Sequence, residues 1–333
     1  MLRAGMIGFG GIAQAHKNGY KKLEKDGIAK LVAVQDIRKE AFEGKVEINL
    51  KLENGEQPSD IHFYTDLEEM LANEQLDYID ICVPTYLHKG LAIKMLRRGY
   101  PVISEKPMAL TYADCQEMLA AERESGKPLM VAQCLRFFPE YVFLKECLEK
   151  GTYGRVQAAY FNRESAMPVW GWENWFMDYN KAGGVITDMH IHDIDMVRWL
   201  FGEPEAVSCR ATDVYTKYDI VQTALHYPGL PVTACSAWTA GRIGFSATYR
   251  VDFAEASVMC AGGKVTVYPK DGEKLEPQLS GYDGYTGEIA YFCDVILGKI
   301  ENTRNPASSA AQTLRLIDRM KESADQNGVV LAF

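Results

Sequence analysis

The sequence predicts an α/β fold in two parts: a doubly wound parallel sheet in the N-terminal part and a mostly antiparallel sheet with a few helices in the C-terminal part. Two observations predict it. Short strand-like runs alternate with helical stretches as far as Gln133, and strands in such alternation pair in parallel through right-handed crossovers. After Gly154, long runs rich in β-branched and aromatic residues follow one another with few helices between them, as in antiparallel sheets.

The N-terminal elements follow from local patterns. Six runs are apolar and rich in β-branched or aromatic residues, as the buried strands of a parallel sheet are: 4–8, 31–36, 61–65, 78–84, 101–107 and 128–133. Helical patterns occupy the intervals 11–25, 66–73, 88–99 and 111–126, and a charged helical stretch is expected between Asp36 and Ile61.

The C-terminal part reads as strands over 155–165, 206–216, 220–228, 232–240, 245–253 and 256–269. Helices are expected over 185–200 and near 287–299 and 306–326. A chain of 333 residues exceeds what one hydrophobic core usually supports. We therefore expect two domains, residues 1–130 and 131–333, with the last helices able to pack on the first domain.

Composition excludes several classes of function. Hydrophobic residues make up 47% and charged residues 24%, which is typical of a globular protein. The net charge of −9 argues against a nucleic acid or an anionic membrane as partner, and no run approaches the ~18 apolar residues of a membrane helix. The N-terminal residues do not match a secretory signal. Eight scattered cysteines without C-x-x-C predict reduced thiols in a cytoplasmic protein and no zinc site.

A glycine-rich turn follows the first predicted strand. GFGGIA (residues 8–13) fits G-x-G-x-x-[GA], a pattern that is weak alone but stronger between a strand and a helix. Backbone amides and the helix dipole converge there on a pyrophosphate. The turn predicts a Rossmann-type dinucleotide site with these residues in contact with the cofactor: Gly8, Gly10, Gly11, Ile12 and Ala13.

An acidic residue ends the second predicted strand. Asp36 stands where a ribose hydroxyl would lie, and its carboxylate repels a 2′-phosphate, so NAD is expected as cofactor. Arg38 keeps NADP as the alternative, because a guanidinium can pair with the additional phosphate. Residues 1–130 are therefore expected to form the cofactor domain.

A lysine stands at the end of another strand. ISEKPMAL (residues 103–110) places Lys106 where ligands bind in open α/β sheets, outside the carboxyl ends of the strands. A surface lysine beside a turn is the alternative interpretation.

Two histidines and three aspartates crowd the segment GGVITDMHIHDID (residues 183–195). If residues 185–200 form one helix, Asp188, His192 and Asp195 share a face, whereas His190 lies about 200° around the axis from His192. Both histidines cannot then bind one metal ion, so no metal site is expected, although that face offers suitable ligand types.

The glycine turn, Glu105-Lys106-Pro107 and the GG-x3-D-x3-H-x2-D cluster together resemble the Gfo/Idh/MocA oxidoreductases. The resemblance covers nearly the whole chain and includes the stretch 78–110 and the crossing segment 134–156. It implies a dehydrogenase that oxidises a secondary alcohol of a sugar, inositol or related polyol with NAD(P).

The resemblance implies roles for individual residues. Lys106, Asp188 and His192 match the catalytic trio. An imidazole with its ordinary pKa near ~6.5 suits the role of base, an amine stabilises charge on the reacting oxygen, and the aspartate orients either partner. Matched positions near the cofactor add four contacts: Pro84, Thr85, His88 and Glu105. His190 stands where many relatives have glycine, and we expect it to be packed or solvent-facing rather than in contact with substrate.

Several residues are candidates for substrate binding: Gln133, Arg136, Arg163, Trp172 and Trp175, beside Asp188 and His192. Tryptophan faces stack on the C–H surfaces of sugars, with packing as the alternative. The two arginines would meet an anionic group or form salt bridges.

Two other functions remain open within this fold: a glycosidase that oxidises its substrate transiently with NAD, and a non-catalytic nucleotide-sensing regulator. Retention of all three trio residues argues against the regulator. Exposed apolar positions of the C-terminal sheet predict a homodimer or homotetramer through that sheet.

Overall fold

A computed structural model describes residues 1–43 and 60–333. They form two compact units. The first contains Met1–Cys134, Trp170–Trp175 and Tyr282–Ala311. The second contains Leu135–Val169, Phe176–Gly281 and Gln312–Phe333.

The first unit is built on a six-stranded parallel sheet of order β3-β2-β1-β4-β5-β6. Its strands are β1 (Leu2–Ile7), β2 (Ala29–Gln35), β3 (His62–Tyr64), β4 (Tyr78–Ile81), β5 (Val102–Glu105) and β6 (Leu129–Ala132). Its helices are α1 (Gly11–Lys25), α2 (Leu67–Asn73), α3 (His88–Arg97), α4 (Tyr112–Ser125) and α9 (Gly284–Ile296).

Local chemistry explains where these elements begin and end. The Asp66 and Thr111 side chains cap α2 and α4 by accepting from backbone N–H groups in the first turn, and Gly126 ends α4 in the left-handed conformation. All residues of β4 and β5 are buried, as expected for central strands covered on both faces. The strand order reverses between β1 and β4, the place where doubly wound folds bind ligands.

The second unit is built on an eight-stranded sheet of order β13-β12-β11-β7-β10-β9-β8-β14. Neighbouring strands are antiparallel except for β7 and β10, which run parallel. The strands are β7 (Val156–Ala166), β8 (Ala206–Thr212), β9 (Ile220–Tyr227), β10 (Leu230–Thr239), β11 (Ser246–Phe253), β12 (Ala256–Ala261), β13 (Lys264–Pro269) and β14 (Leu331–Ala332).

The remaining helices are α5 (Pro139–Glu149), α6 (Tyr179–Ala182), α7 (Gly184–Asp188), α8 (His190–Phe201) and α10 (Ala307–Asp325). Burial alternates along β9 and β10, so one sheet face is covered, and α7 and α8 pack against it.

The predicted fold class is confirmed in both parts. The charged helical stretch expected after Asp36 lies largely outside the described residues. Its described part contains a short 3₁₀ turn, Lys39–Glu43. The single helix expected over 185–200 is wrong in one respect: it is two helices, which meet at Met189.

Candidate functional site

The glycine turn joins β1 to α1 and leaves room beside its backbone. Gly8 has φ +88°, and an added Cβ would lie 2.5 Å from the Cys82 carbonyl oxygen, so only glycine fits there. At Gly10 an added Cβ would meet no heavy atom of the described residues within 4 Å. Gly10 caps α1 without a side-chain hydrogen bond, and no acidic residue lies in the first turn. The helix N-terminus can therefore receive an anion.

Asp36 follows β2 at the same edge of the sheet, and its carboxylate already accepts four hydrogen bonds from Phe9 and Arg38. Its Oδ2 accepts from the Phe9 amide at 2.8 Å, and its carboxylate accepts from the Arg38 amide at 2.9 Å and from the Arg38 guanidinium at 2.9 and 3.0 Å. A carboxylate has about four acceptor positions. A ribose hydroxyl that bonds to Asp36 must therefore displace part of the Arg38 contact.

Trp172 covers Arg38 within the first unit. The guanidinium carbon lies 5.6 Å from the centre of the Trp172 ring, which is a cation–π distance. The segment Trp172–Met177 is a 3₁₀ turn in which Glu173 and Asn174 both have φ of 50°. Trp175 is half-buried.

The loop after β4 carries three predicted cofactor residues, Pro84, Thr85 and His88. Thr85 and His88 are buried, and Pro84 is half-buried. The His88 ring lies between two carbonyl oxygens, with Nδ1 2.8 Å from Pro107 and Nε2 2.8 Å from Val83. Burial lowers the pKa of His88, so the ring is neutral and donates to one of the two. Neither ring nitrogen is left for a ligand.

Lys106 follows β5 directly, at the carboxyl edge of the parallel sheet, and is half-buried. Its backbone N–H donates to Glu105 Oε2 at 2.9 Å. Gln133, after β6, is buried, and its Nε2 has no hydrogen-bond partner among the described residues. The strand ends of the first unit thus collect the glycine turn, Asp36, the Lys106 segment and Gln133.

A buried polar network behind this edge was not predicted. His16 of α1 lies with Nδ1 2.8 Å from Asp80 Oδ2 and Nε2 3.0 Å from Glu105 Oε1, and the Tyr20 hydroxyl donates to Asp80 at 3.0 Å. Burial disfavours charge on His16, but the nearby Asp80 and Cys82 side chains together outweigh this effect and raise the pKa of the imidazole well above its ordinary value. Asp80 in the middle of an apolar strand was the signal that sequence reasoning passed over.

Two groups of side chains in the described residues have metal-ligand types within reach of one another: His16, Asp80 and Cys82, and His16, Glu105 and Glu288. Both groups depend on His16. Because each of its ring nitrogens already contacts a carboxylate, hydrogen bonding accounts for the arrangement without a metal ion. The absence of a metal site stays a prediction.

In the second unit, the two glycines before α7 are required by sterics. Gly183 and Gly184 have φ of 78° and 71°. An added Cβ on Gly184 would lie 2.1 Å from the Lys217 carbonyl oxygen, and one on Gly183 would lie 2.7 Å from the Thr187 side chain. The Gly-Gly pair therefore sets the start of the segment that carries Asp188 and His192.

Asp188 and His192 are both half-buried, and they lie on different helices because α7 ends at Asp188 and α8 begins at His190. His190 is fully buried, with Nδ1 2.8 Å from the Ser236 hydroxyl and Nε2 3.0 Å from the Thr223 hydroxyl. Burial and the nearby Arg163 lower the pKa of His190 to about 3. His190 is thus packed in the interior.

The two arginines proposed for an anionic substrate are in buried ion pairs with α8. Arg136 donates to both oxygens of Asp195 at 2.8 and 2.7 Å, and Arg163 donates to both oxygens of Asp193 at 3.1 and 2.9 Å. Of the two alternatives, the salt bridge is the one that the structure has. Asp195 therefore anchors α8 instead of sharing a functional face with His192.

No helix among residues 1–43 and 60–333 combines the length and apolar character needed to cross a bilayer.

Residues 2–133 match the family model described as an oxidoreductase family with an NAD-binding Rossmann fold, and residues 141–259 match the GFO/IDH/MocA C-terminal domain.

Among curated proteins, the chain is 31% identical over 188 residues to a 2,7-anhydro-N-acetylneuraminate hydratase of Mediterraneibacter gnavus, covering 54% of this chain and 48% of that protein. It is 28% identical over 291 residues to an inositol 2-dehydrogenase of Rhizobium meliloti, covering 86% and 80%. For several of these relatives the match spans about half of the relative's length.

Among solved structures, an oxidoreductase from Agrobacterium radiobacter in complex with NAD+, L-tartaric acid and magnesium superposes with a TM-score of 0.80 at 19% identity, over 99% of this chain and 98% of that one. At this identity the likeness establishes the fold.

Proposed function

The chain belongs to the Gfo/Idh/MocA oxidoreductase family, with an NAD-binding Rossmann domain, and on that premise we propose that it is an NAD-dependent dehydrogenase of a sugar, inositol or related polyol. We propose residues 1–130 as the cofactor domain and 131–333 as the domain for substrate binding and oligomerisation.

One observation supports the proposal: the carboxyl edge of the parallel sheet combines an open glycine turn with a lysine, Lys106, directly after β5. Gly10 leaves space at the N-terminus of α1, and Asp36 and Lys106 follow β2 and β5 at the same edge. We expect a pyrophosphate at this turn, since a Cβ at Gly10 would meet no heavy atom of residues 1–43 and 60–333 within 4 Å.

We assign the chemistry to three side chains. NAD, when bound at the glycine turn, would supply the acceptor for the hydride that leaves the substrate carbon. As the hydride leaves, the hydroxyl proton must be removed, which we assign to His192 as general base. Lys106 hydrogen-bonds the reacting oxygen and stabilises the negative charge that develops there. Asp188 orients the substrate or the imidazole.

We propose NAD as the preferred cofactor, with Asp36 as the residue that discriminates. Its carboxylate disfavours a 2′-phosphate, and its contact with Arg38 keeps that guanidinium on the carboxylate. NADP stays the alternative, because Arg38 can turn to a phosphate when it leaves Asp36. A lower KM for NADP than for NAD would refute this preference.

For substrate binding we retain Gln133, Trp172 and Trp175. Gln133 Nε2, which has no hydrogen-bond partner among the described residues, can donate to a hydroxyl, and indole faces suit the C–H surfaces of a sugar ring. Arg136 and Arg163 are assigned instead to holding α8, because their donors are directed at Asp195 and Asp193.

The direct test is a panel of polyols, sugars and sugar acids, each incubated with NAD or NADP while absorbance at 340 nm is followed. NADH formation with at least one polyol supports the proposal. Absence of cofactor reduction across the panel, with NAD binding confirmed by calorimetry, would refute it.

A second candidate rests on the relatives that are named hydratases. Addition of water involves no net oxidation, so an NAD enzyme of this type would oxidise its substrate transiently and then reduce it again. The same applies to a glycosidase that uses transient oxidation. Product formation without NADH accumulation, in the presence of bound NAD, would distinguish this candidate.

We also propose a homodimer or homotetramer that pairs through the C-terminal sheet, in the cytoplasm. Large side chains on its strands are partly exposed, including Tyr160 (39%), Met259 (39%) and Tyr268 (44%). None of the eight cysteines forms a disulfide bond, as expected in a reducing compartment. Light scattering that finds only a species of 37.3 kDa would exclude the oligomer.

A further inference from the structure

The peptide around Lys106 is fastened on both sides by buried side chains. Before it, the Lys106 amide donates to Glu105 Oε2 at 2.9 Å. After it, the Pro107 carbonyl oxygen lies 2.8 Å from His88 Nδ1, which donates to it in the tautomer that carries the ring proton on Nδ1. Glu105 and His88 are 5% and 1% exposed, so neither contact exchanges readily with water.

The Glu105 side chain is itself fixed by a chain of contacts that crosses the first unit. His16 Nε2 lies 3.0 Å from Glu105 Oε1, His16 Nδ1 lies 2.8 Å from Asp80, and Tyr20 donates to Asp80 at 3.0 Å. All of these side chains are buried. The contacts link α1, β4 and β5, and they end on the peptide that carries Lys106.

Stability alone does not explain such a network. Two carboxylates and an imidazolium lose their hydration in the core, and well-packed apolar residues of similar volume are often as stable or more so. Glu288 adds a third carboxyl group 3.7 Å from His16, with neither oxygen hydrogen-bonded among the described residues. Burial raises the pKa of Glu288 well above its ordinary value and so disfavours its charged form.

We propose that His16, Glu105 and His88 are positioning residues, which hold the backbone of Lys106 so that its amine meets the reacting oxygen in one fixed place. The proposal rests on the function proposed above. In this role Glu105 and His88 act on the Lys106 backbone and replace the cofactor contacts that the family resemblance implies for them. A catalytic group displaced by about 1 Å can lose a large part of its rate contribution, so the network is expected to act on kcat and not on cofactor affinity.

Two substitutions at His16 separate positioning from general stability. Gln can still donate to Glu105, whereas Leu of similar size cannot. We expect His16→Leu to lower kcat at least tenfold with KM for NAD within twofold, and His16→Gln to stay within threefold of the wild type. The matched control is His62→Gln, which removes an exposed histidine paired with Glu74 and is expected to leave kcat unchanged.

If His16→Leu does not fold, Glu105→Gln takes its place, because it keeps the shape and removes the charge. A folded His16→Leu or Glu105→Gln variant that keeps kcat within twofold overturns the proposal. So does a variant whose KM for NAD rises as much as kcat falls.

Amide hydrogen exchange gives a readout that does not require activity. The Lys106 amide should exchange at least tenfold faster in the variant than in the wild type, while amides of β6 change little. If the wild type reduces NAD with no polyol, the proposed function fails, and this exchange alone decides the network: an unchanged Lys106 amide overturns it.

Discussion

Replacing Asp195 with asparagine tests whether this residue anchors α8 or serves the chemistry. Its two oxygens accept from the Arg136 guanidinium at 2.8 and 2.7 Å, and Thr313 donates to Oδ1 at 2.8 Å. The Arg136 and Asp195 side chains are 2% and 1% exposed. Asp195→Asn therefore keeps the shape of the side chain but removes the carboxylate charge that faces the buried Arg136 guanidinium.

The expected cost follows from burial. Removing one partner of a buried ion pair costs about 3–5 kcal/mol, because the remaining charge stays desolvated and unpaired. An exposed pair contributes less than about 1 kcal/mol. Lys150 and Glu146, 67% and 52% exposed at 2.6 Å, provide the matched control in the same unit through Glu146→Gln.

Urea unfolding followed by tryptophan fluorescence measures both variants. We expect Asp195→Asn to lower the free energy of unfolding by about 3–5 kcal/mol, and Glu146→Gln by less than about 1 kcal/mol. In the absence of urea, kcat of folded Asp195→Asn should stay within threefold of the wild type. Equal destabilisation by the two variants, or loss of kcat without loss of stability, would refute the anchoring role.

Three further predictions concern the cofactor turn and the interior of the second unit. Gly10→Ala should weaken NAD binding about tenfold or more without changing the melting temperature, because the added Cβ would occupy only the space expected for the cofactor. Gly8→Ala should instead destabilise the fold, because its Cβ would clash with the Cys82 carbonyl oxygen. Calorimetry of NAD binding and thermal melts of both variants check this difference. Asp36→Ala should raise KM for NAD about tenfold, the equivalent of one charge-assisted hydrogen bond, and reduce the preference for NAD over NADP. Initial rates with both cofactors measure this, and an unchanged ratio of the two KM values would contradict it. His190 has a folded pKa of about 3, lowered by burial and Arg163, so its contribution to stability is complete above the unfolded pKa near ~6.5 and is lost as pH falls toward 3. Between about pH 6 and 4.5 the wild type should lose roughly 1.4 kcal/mol per pH unit more than His190→Gln, and parallel stability curves would contradict this.

Local chemistry made part of this structure predictable. The glycine turn and α1 follow from a short motif, and α1 begins and ends where the pattern places it. Lys106 could be assigned to the edge of the sheet because all parallel strands end on the same side.

Other features depend on residues far apart in the chain, which a local pattern does not relate. The contacts of His16 with Asp80 and Glu105 span 64 and 89 positions, and the Arg136–Asp195 pair spans 59. The interruption at Met189 escaped prediction because helical residues continue on both sides of it. The roles of Arg136 and Arg163 stayed open because their partners, Asp195 and Asp193, lie on a helix distant in the sequence.

The rate of NADH formation at 340 nm by the Lys106→Ala variant, compared with the wild type on the best polyol of the panel, tests the central assignment most directly. We expect a fall in kcat of about a hundredfold or more, with the Kd of NAD within about threefold, since the amine acts on the reacting oxygen. A Lys106→Ala variant with near-normal turnover would contradict it.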